Sequence, residues 1–267
     1  MTWKLLEEKT FGGNRLEVID YGKLAGSADA ATAEKLYFLR EAGMALKSVR
    51  VTLANSSLLV EPGALYYMQG KLGIETKVGG VLSGLMRSLA AGETLFANQI
   101  AGTGMVMLEP SFGHFLLVEI ENDELVCDKG MFYAAVGDLT VKAKVMGLSA
   151  AVFGGEGIFQ TVVKGTGVVV LMSPVPMEEL VSYELTDGIL SVDGNFALMR
   201  VGDINFTVKK SSKSWLHTAV SGEGLLQTFS GTGTVWLAPT QKIYQQLLLP
   251  GALQQLAEAG AARNNRT

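Results

Sequence analysis

Three glutamates stand at matching places in this chain: Glu93, Glu156 and Glu223, each directly after a glycine (Gly92, Gly155, Gly222). If the chain gathered them at one point, three carboxylates would bind a cation or share protons, because like charges that close cannot all stay ionised unaided. The plainer role is a turn residue whose carboxylate accepts backbone N–H bonds or pairs with Lys77, Lys144 or Lys210. Convergence of the three positions decides between these roles. Other reactive material is sparse. Cys127 is the one cysteine, so no intrachain disulfide framework and no multi-cysteine zinc site can form. It has no copy at the matching places elsewhere in the chain, where Val60 and Val192 align near it, so it reads as a small buried hydrophobe rather than a reactive thiol. The two histidines, His114 and His217, have no companion at metal-ligand spacing. There is no Gly-x-Ser-x-Gly elbow, and Gly102-Thr103-Gly104 lacks the following Gly-Lys-Ser/Thr of a phosphate loop. The inventory implies a protein without catalytic residues and without a cofactor.

The stretch before each glutamate is rich in glycine and small residues and carries large apolar side chains: Leu85 and Met86, then Phe153, then Trp215 and Leu216. Such loops gathered at one end of a molecule would contact a partner or a membrane surface. Alternatively they plug the end of the body or bury themselves between copies of the chain.

Both sets belong to an internal triplication. Gly-Thr-Gly triplets begin at Gly102, Gly165 and Gly231, spaced by 63 and 66 residues, and each leads into an apolar run closed by Pro110, Pro174 or Pro239. The upstream halves align as well: Glu61-Pro62-Gly63, Asp128-Lys129-Gly130 and Asp193-Gly194-Asn195, then Gly70-Lys71-Leu72, Gly137-Asp138-Leu139 and Gly202-Asp203-Ile204. Units of about 65 residues recur, over about 50–116, 117–183 and 184–240. β-Branched and aromatic runs with period-two alternation read as strands. The Gly-Thr-Gly glycines read as hairpin turns, and Gly63, Gly130 and Gly194 as a second set of turns. One such unit cannot bury its apolar face alone; three together can, and three suit a closed arrangement about a pseudo-three-fold axis.

Outside the units, Asp29–Glu41 has a capping aspartate, good helix formers and a stop at Gly43, so a short helix is expected before a strand over Leu46–Leu53. Gln241–Leu249 and Ala252–Ala262 read as helical, broken at Pro250-Gly251. The chain therefore divides into one triplicated β domain over 1–240 and a helical tail over 241–267.

Composition limits the partners. Net charge is −4 and pI about 5.4, which excludes a nucleic-acid binder that works by neutralising phosphates. With 48% hydrophobic and 18% charged residues a sizeable core is available. The opening Met1-Thr2-Trp3-Lys4-Leu5-Leu6-Glu7-Glu8 has no basic region followed by an apolar run, so a cytoplasmic protein is expected. Exposed strand edges and apolar loops make a homo-oligomer the expected assembly.

The phrases Glu61-Pro62-Gly63-Ala64-Leu65-Tyr66-Tyr67-Met68, Gly154-Gly155-Glu156-Gly157-Ile158-Phe159 and Ser230-Gly231-Thr232-Gly233-Thr234-Val235-Trp236-Leu237 resemble the altered-inheritance-of-mitochondria-24 family, also known as domain of unknown function 124. The resemblance covers roughly residues 45–240. It implies a mainly β fold grouped with the tryptophan RNA-binding attenuation protein, with double-stranded β-helix-like modules around a pseudo-three-fold axis. The family offers no established catalytic residues. Fungal members are linked to mitochondrial inner-membrane organisation. A non-catalytic binding or scaffold protein is the leading expectation. The rival is a cation- or small-ligand-binding protein, or an enzyme, using an inter-repeat site with Glu93, Glu156 and Glu223.

Overall fold

The computed structural model describes residues 3–76, 98–146, 158–210 and 225–248. These are mainly β: eleven strands in one curled sheet, with two short helices. β1 (Lys4–Phe11) and β2 (Asn14–Asp20) form a hairpin turned at Gly12-Gly13, both at positive φ. Helix α1 (Ala30–Glu41) follows, capped as expected: the Asp29 carboxylate accepts the Thr32 N–H at 2.9 Å, and the chain leaves the helix through Gly43 at φ +70°. Then come β3 (Lys47–Val60), β4 (Leu65–Thr76), β5 (Asn98–Leu108), β6 (His114–Asp128), β7 (Phe132–Met146) and β8 (Ile158–Ser173). A single 3₁₀ turn, Met177–Glu179, precedes β9 (Val181–Asp193), β10 (Ala197–Lys210), β11 (Leu225–Leu237) and helix α2 (Gln241–Leu247). The second expected tail helix, Ala252–Ala262, lies outside the described residues.

Strand pairing follows a repeating order. Across the sheet the path runs β4-β5-β3, then β7-β8-β6, then β10-β11-β9, antiparallel throughout. Within each triplet the strand last in sequence sits in the middle. The triplets join at two short seams. At the first, Leu58, Leu59 and Val60 face Val136, Ala135 and Ala134. At the second, Leu125, Val126 and Cys127 face Val201, Arg200 and Met199. The β1–β2 hairpin adds to the N-terminal half of the same β3 edge, Arg15 opposite Thr52 through Asp20 opposite Lys47. The turns at Gly63, Gly130 and Gly194 fall where expected, all at positive φ.

The Gly-Thr-Gly triplets are not turns. Each lies inside a continuous strand (β5, β8, β11) at the point where its neighbours bend. A Cβ placed on Gly102, Gly165 or Gly231 would stand 2.1 Å from the carbonyl oxygen of Lys71, Asp138 or Asp203, respectively. Only glycine tolerates that backbone approach at φ near +130°. On the opposite side the middle threonine holds a corner. The hydroxyls of Thr103, Thr166 and Thr232 accept the N–H groups of Asn55, Asn122 and Asp187 at 3.0, 2.9 and 3.1 Å. Those three acceptor-bound residues are the only non-glycine positions at positive φ among the described residues, and the ladder register slips beside each of them. The expectation of a hairpin turn fails for a physical reason: positive φ permits a chain reversal or a bulged bend, and here the flanking strands pair straight through the bend.

The core divides into three clusters. One gathers Leu16, Val51, Leu53, Leu58 and Val106 with Ala134 and Val136 from across the first seam. The second gathers Leu116, Leu125, Cys127 and Leu171 with Leu198 and Met199 from across the second seam. The third is the smallest: Val192, Ala197, Ile204, Phe229, Val235 and Leu237, all from the last triplet. Val168, Val169 and Val170 are consecutive and fully buried, so β8 is covered on both faces.

Candidate functional site

The eight residues of the two candidate sets lie outside the described residues: Glu93, Glu156 and Glu223 of the carboxylate triplet, and Leu85, Met86, Phe153, Trp215 and Leu216 of the apolar loops. What the structure does place is where those segments are rooted. Thr76 pairs with Asn98, Met146 with Ile158, and Lys210 with Leu225, so each segment joins the ends of an equivalent hairpin.

Three polar clusters are visible. On β2 and β3, the fully buried Glu17 carboxylate receives Arg50 in a fork, Nε at 2.7 Å and Nη2 at 2.6 Å, and also receives Arg15. Burial pushes the Glu17 carboxyl up, but the hydrogen bonds and charges of Arg50 and Arg15 prevail and hold it below its ordinary pKa. The Arg50 guanidinium also lies 5.4 Å from the centre of the Trp3 ring, which ties the N-terminus to the sheet.

At the second seam sits Arg200, buried on β10. Its Nη1 donates to Gln160 Oε1 at 3.1 Å, and its guanidinium lies 5.3 Å from the Phe206 ring centre and 6.0 Å from that of Phe229. Burial lowers its pKa to about 10, partly countered by Glu124 and Asp128, so it stays charged at neutral pH. Burial raises Asp128 to about 6 against the opposing pull of Gln160 and Arg200. Cys127 is fully buried, and its thiol is driven far above the ordinary range by desolvation, as the expected small hydrophobe should be.

The third cluster joins Lys47 Nζ to His114 Nδ1 at 3.4 Å. Desolvation lowers both, and their proximity lowers His114 further. Beside it Glu179 accepts from Tyr244 at 2.7 Å and from the Thr240 hydroxyl, which pins α2 to the 3₁₀ turn. None of the three clusters lines the cavity of about 330 Å³ beside α1. That cavity is bounded by Lys23, Leu36, Tyr37, Arg40, Met44 and Phe112 among others, with no carboxylate in its wall, and α1 itself buries no residue. Among the described residues no group of His, Cys, Asp or Glu is placed to hold a metal ion.

Sequence reasoning expected exposed strand edges without saying which strands carry them; among the described residues the sheet ends at β1, β4 and β9. Among the described residues β4 pairs only with β5, and β9 only with β11. All three carry large apolar side chains in solvent: Leu5 and Leu6 on β1, Tyr66, Tyr67, Met68 and Ile74 on β4, and Tyr183 and Ile189 on β9; β1 belongs to the added hairpin, and β4 and β9 are the outer strands of the triplets. The aromatic run Tyr66-Tyr67 was the available signal, but its exposure depends on which strands lie at the ends of the path.

The family described as mitochondrial biogenesis AIM24 matches residues 40–240, from the end of α1 through β11. The chain belongs to this family. The matched span holds all three strand triplets and both seams, so the AIM24 core is the nine-strand path, and the β1–β2 hairpin and α2 lie outside it. A crystal structure of a Streptococcus pyogenes protein superposes with a TM-score of 0.55 at 20% identity, covering 73% of this chain and 88% of that one. At that identity the likeness is one of fold. No curated protein matches the chain. No helix among the described residues is long and apolar enough to cross a membrane.

Proposed function

We propose that this AIM24-family chain is a non-catalytic scaffold: a rigid body of three β repeats around a pseudo-three-fold axis, akin in fold to the tryptophan RNA-binding attenuation protein, which engages a membrane surface or protein partner through its apolar connecting loops. One observation carries the reading. The three loop-bearing hairpins end in the same way, at Thr76–Asn98, Met146–Ile158 and Lys210–Leu225, so every apolar segment is rooted at the same place in its triplet. Three equivalent roots around an axis bring three apolar segments to one end, and gathered apolar surface is what partner and membrane contacts use.

The polar clusters support the same reading. Glu17 is consumed by two arginines, Arg200 by Gln160 and two rings, and Glu179 by Thr240 and Tyr244. Groups spent on one another in this way hold elements together. A catalytic reading asks instead for perturbed groups opening onto a concave site.

Liposome co-sedimentation tests the reading. The wild-type chain is expected to pellet with vesicles or to hold a protein partner. A variant with Leu85→Ser, Phe153→Ser and Trp215→Ser is expected to lose that binding while keeping its melting temperature. Equal binding by both proteins would remove the loops from the function.

A further inference from the structure

The two seams inside the chain are alike, and the sheet ends where a third would begin. Taking the ladder glycines as reference, β7 and β10 offer equivalent residues to their seams: Ala134 and Met199, Ala135 and Arg200, Val136 and Val201. These stand three, two and one residues before Gly137 and Gly202, which pair with Gly167 and Gly233. On β4 the equivalent glycine is Gly70, paired with Gly104, so the corresponding residues are Tyr67, Met68 and Gln69. On the other side, Leu58-Leu59-Val60 and Leu125-Val126-Cys127 correspond to Leu190-Ser191-Val192 of β9, each read from the same positions of its middle strand.

The equivalent positions differ sharply in environment. At the formed seams Ala134, Ala135, Met199 and Arg200 are 0%, 1%, 3% and 5% exposed. On β4, Tyr67 and Met68 are 41% and 36% exposed. Among the described residues, the first two core clusters each take in side chains from the next triplet across a seam; the third, around Val192 and Phe229, receives none and is the smallest. Neither open edge carries a proline, which would cap it, and an uncapped apolar edge is a template for another strand.

We infer that the β9 edge of one copy pairs antiparallel with the β4 edge of a second copy, Val192 opposite Tyr67, Ser191 opposite Met68 and Leu190 opposite Gln69, as a third seam of the same kind as the two within the chain. This rests on the three-repeat scaffold reading and departs from it at one point: the described strands leave the outer edges of β4 and β9 unpaired, so the repeats do not close on themselves within one chain, and the partner is a second copy meeting these two edges. The contact is heterologous, since different edges meet. It therefore builds a head-to-tail assembly, closed if the rotation per copy returns to its start and open-ended otherwise. Pairing would cover the Tyr67 and Met68 side chains and supply the third cluster with the neighbour that the other two have.

Cysteine cross-linking tests the seam. Directly opposed residues of an antiparallel pair have Cα atoms about 4.5–5.5 Å apart, within the range a disulfide spans. Met68→Cys and Ser191→Cys are made separately; both positions are exposed, so the fold should survive, and buried Cys127 does not compete. Mixed under mild oxidation, the two variants should give a covalent dimer that neither gives alone. Met68→Asp should leave the melting temperature of the dilute, dissociated chain unchanged and weaken self-association, read by light scattering across a dilution series, by at least about tenfold. Three results would overturn the inference: a chain monomeric at every concentration with no cross-link, a disulfide formed by Met68→Cys alone, or a double variant that closes within a single chain at monomer mass. A monomer that still binds vesicles would sink this seam and leave the scaffold reading standing.

Discussion

The Thr166 hydroxyl accepts the Asn122 N–H at 2.9 Å, and at that contact the second triplet turns its corner. Asn122 sits at φ +48° and its own side chain plays no part in the bond. The strand beside it is admitted because Gly165 and Gly167 have no Cβ, and Thr103 and Thr232 repeat the arrangement with Asn55 and Asp187.

Two substitutions at this corner should separate its parts. Thr166→Val keeps the shape and removes the acceptor, and should cost about 1 kcal/mol, the ordinary worth of one hydrogen bond. Gly165→Ala drives a Cβ to within 2.1 Å of the Asp138 carbonyl oxygen, which backbone cannot readily yield, and should cost about 3 kcal/mol or more. Urea denaturation of the two variants measures both. A Gly165→Ala protein as stable as wild type would show that the strand crossing is not as close as described.

Asp128 should make the protein less stable as pH rises from about 4 to about 6. Its folded pKa is raised to about 6 from an ordinary 3.8. Between those values the unfolded chain has released its proton while the folded chain still holds it, so unfolding gains; above both, the penalty is constant. The full difference corresponds to roughly 3 kcal/mol. Asp128→Asn should remove this slope and raise the melting temperature at pH 7 relative to wild type. Parallel stability profiles for the two proteins across that window would refute the assignment.

Glu17 should act in the opposite sense. Its folded pKa lies below the ordinary 4.5, so its contribution is complete above that value and is lost as pH falls through the folded pKa. Glu17→Gln should therefore flatten the acid limb of the stability curve. Arg50→Ala should cost more than Glu17→Gln at pH 7, about 3 kcal/mol, because it strips the fork from a carboxylate that is 1% exposed. Arg50 and Arg15 are partly exposed and can return to water when Glu17 is neutral. Thermal melts from pH 3 to pH 7 compare all three proteins, and a greater loss from Glu17→Gln would invert this account.

Much of the local structure was written in the chain. The Asp29 cap and Gly43 stop bounded α1, and alternation with β-branched residues marked the strands, because capping and pleating are satisfied by neighbours a few residues away. The β1–β2 hairpin escaped notice although Gly12-Gly13 punctuates it, since the charged Glu7, Glu8 and Lys9 obscured its alternation. Arg200 stands as a lone cation in the run Phe196-Ala197-Leu198-Met199-Arg200-Val201, yet of its partners only Phe206 shares its strand; Gln160 on β8 and Phe229 on β11 are brought to it by folding.

The amino-acid sequence by itself determined the period, the glycine positions and the β character of this protein, because those follow from backbone sterics and side-chain alternation within each unit. Tertiary structure alone decided that Gly-Thr-Gly is a bend rather than a reversal, that the triplets join at Leu58–Val60 and Leu125–Cys127, and that β4 and β9 are left at the ends. The reason is that strand pairing is a contest among distant edges, and residues at equivalent positions of their triplets, such as Leu59, Val126 and Ser191, meet different neighbours according to which edge remains free.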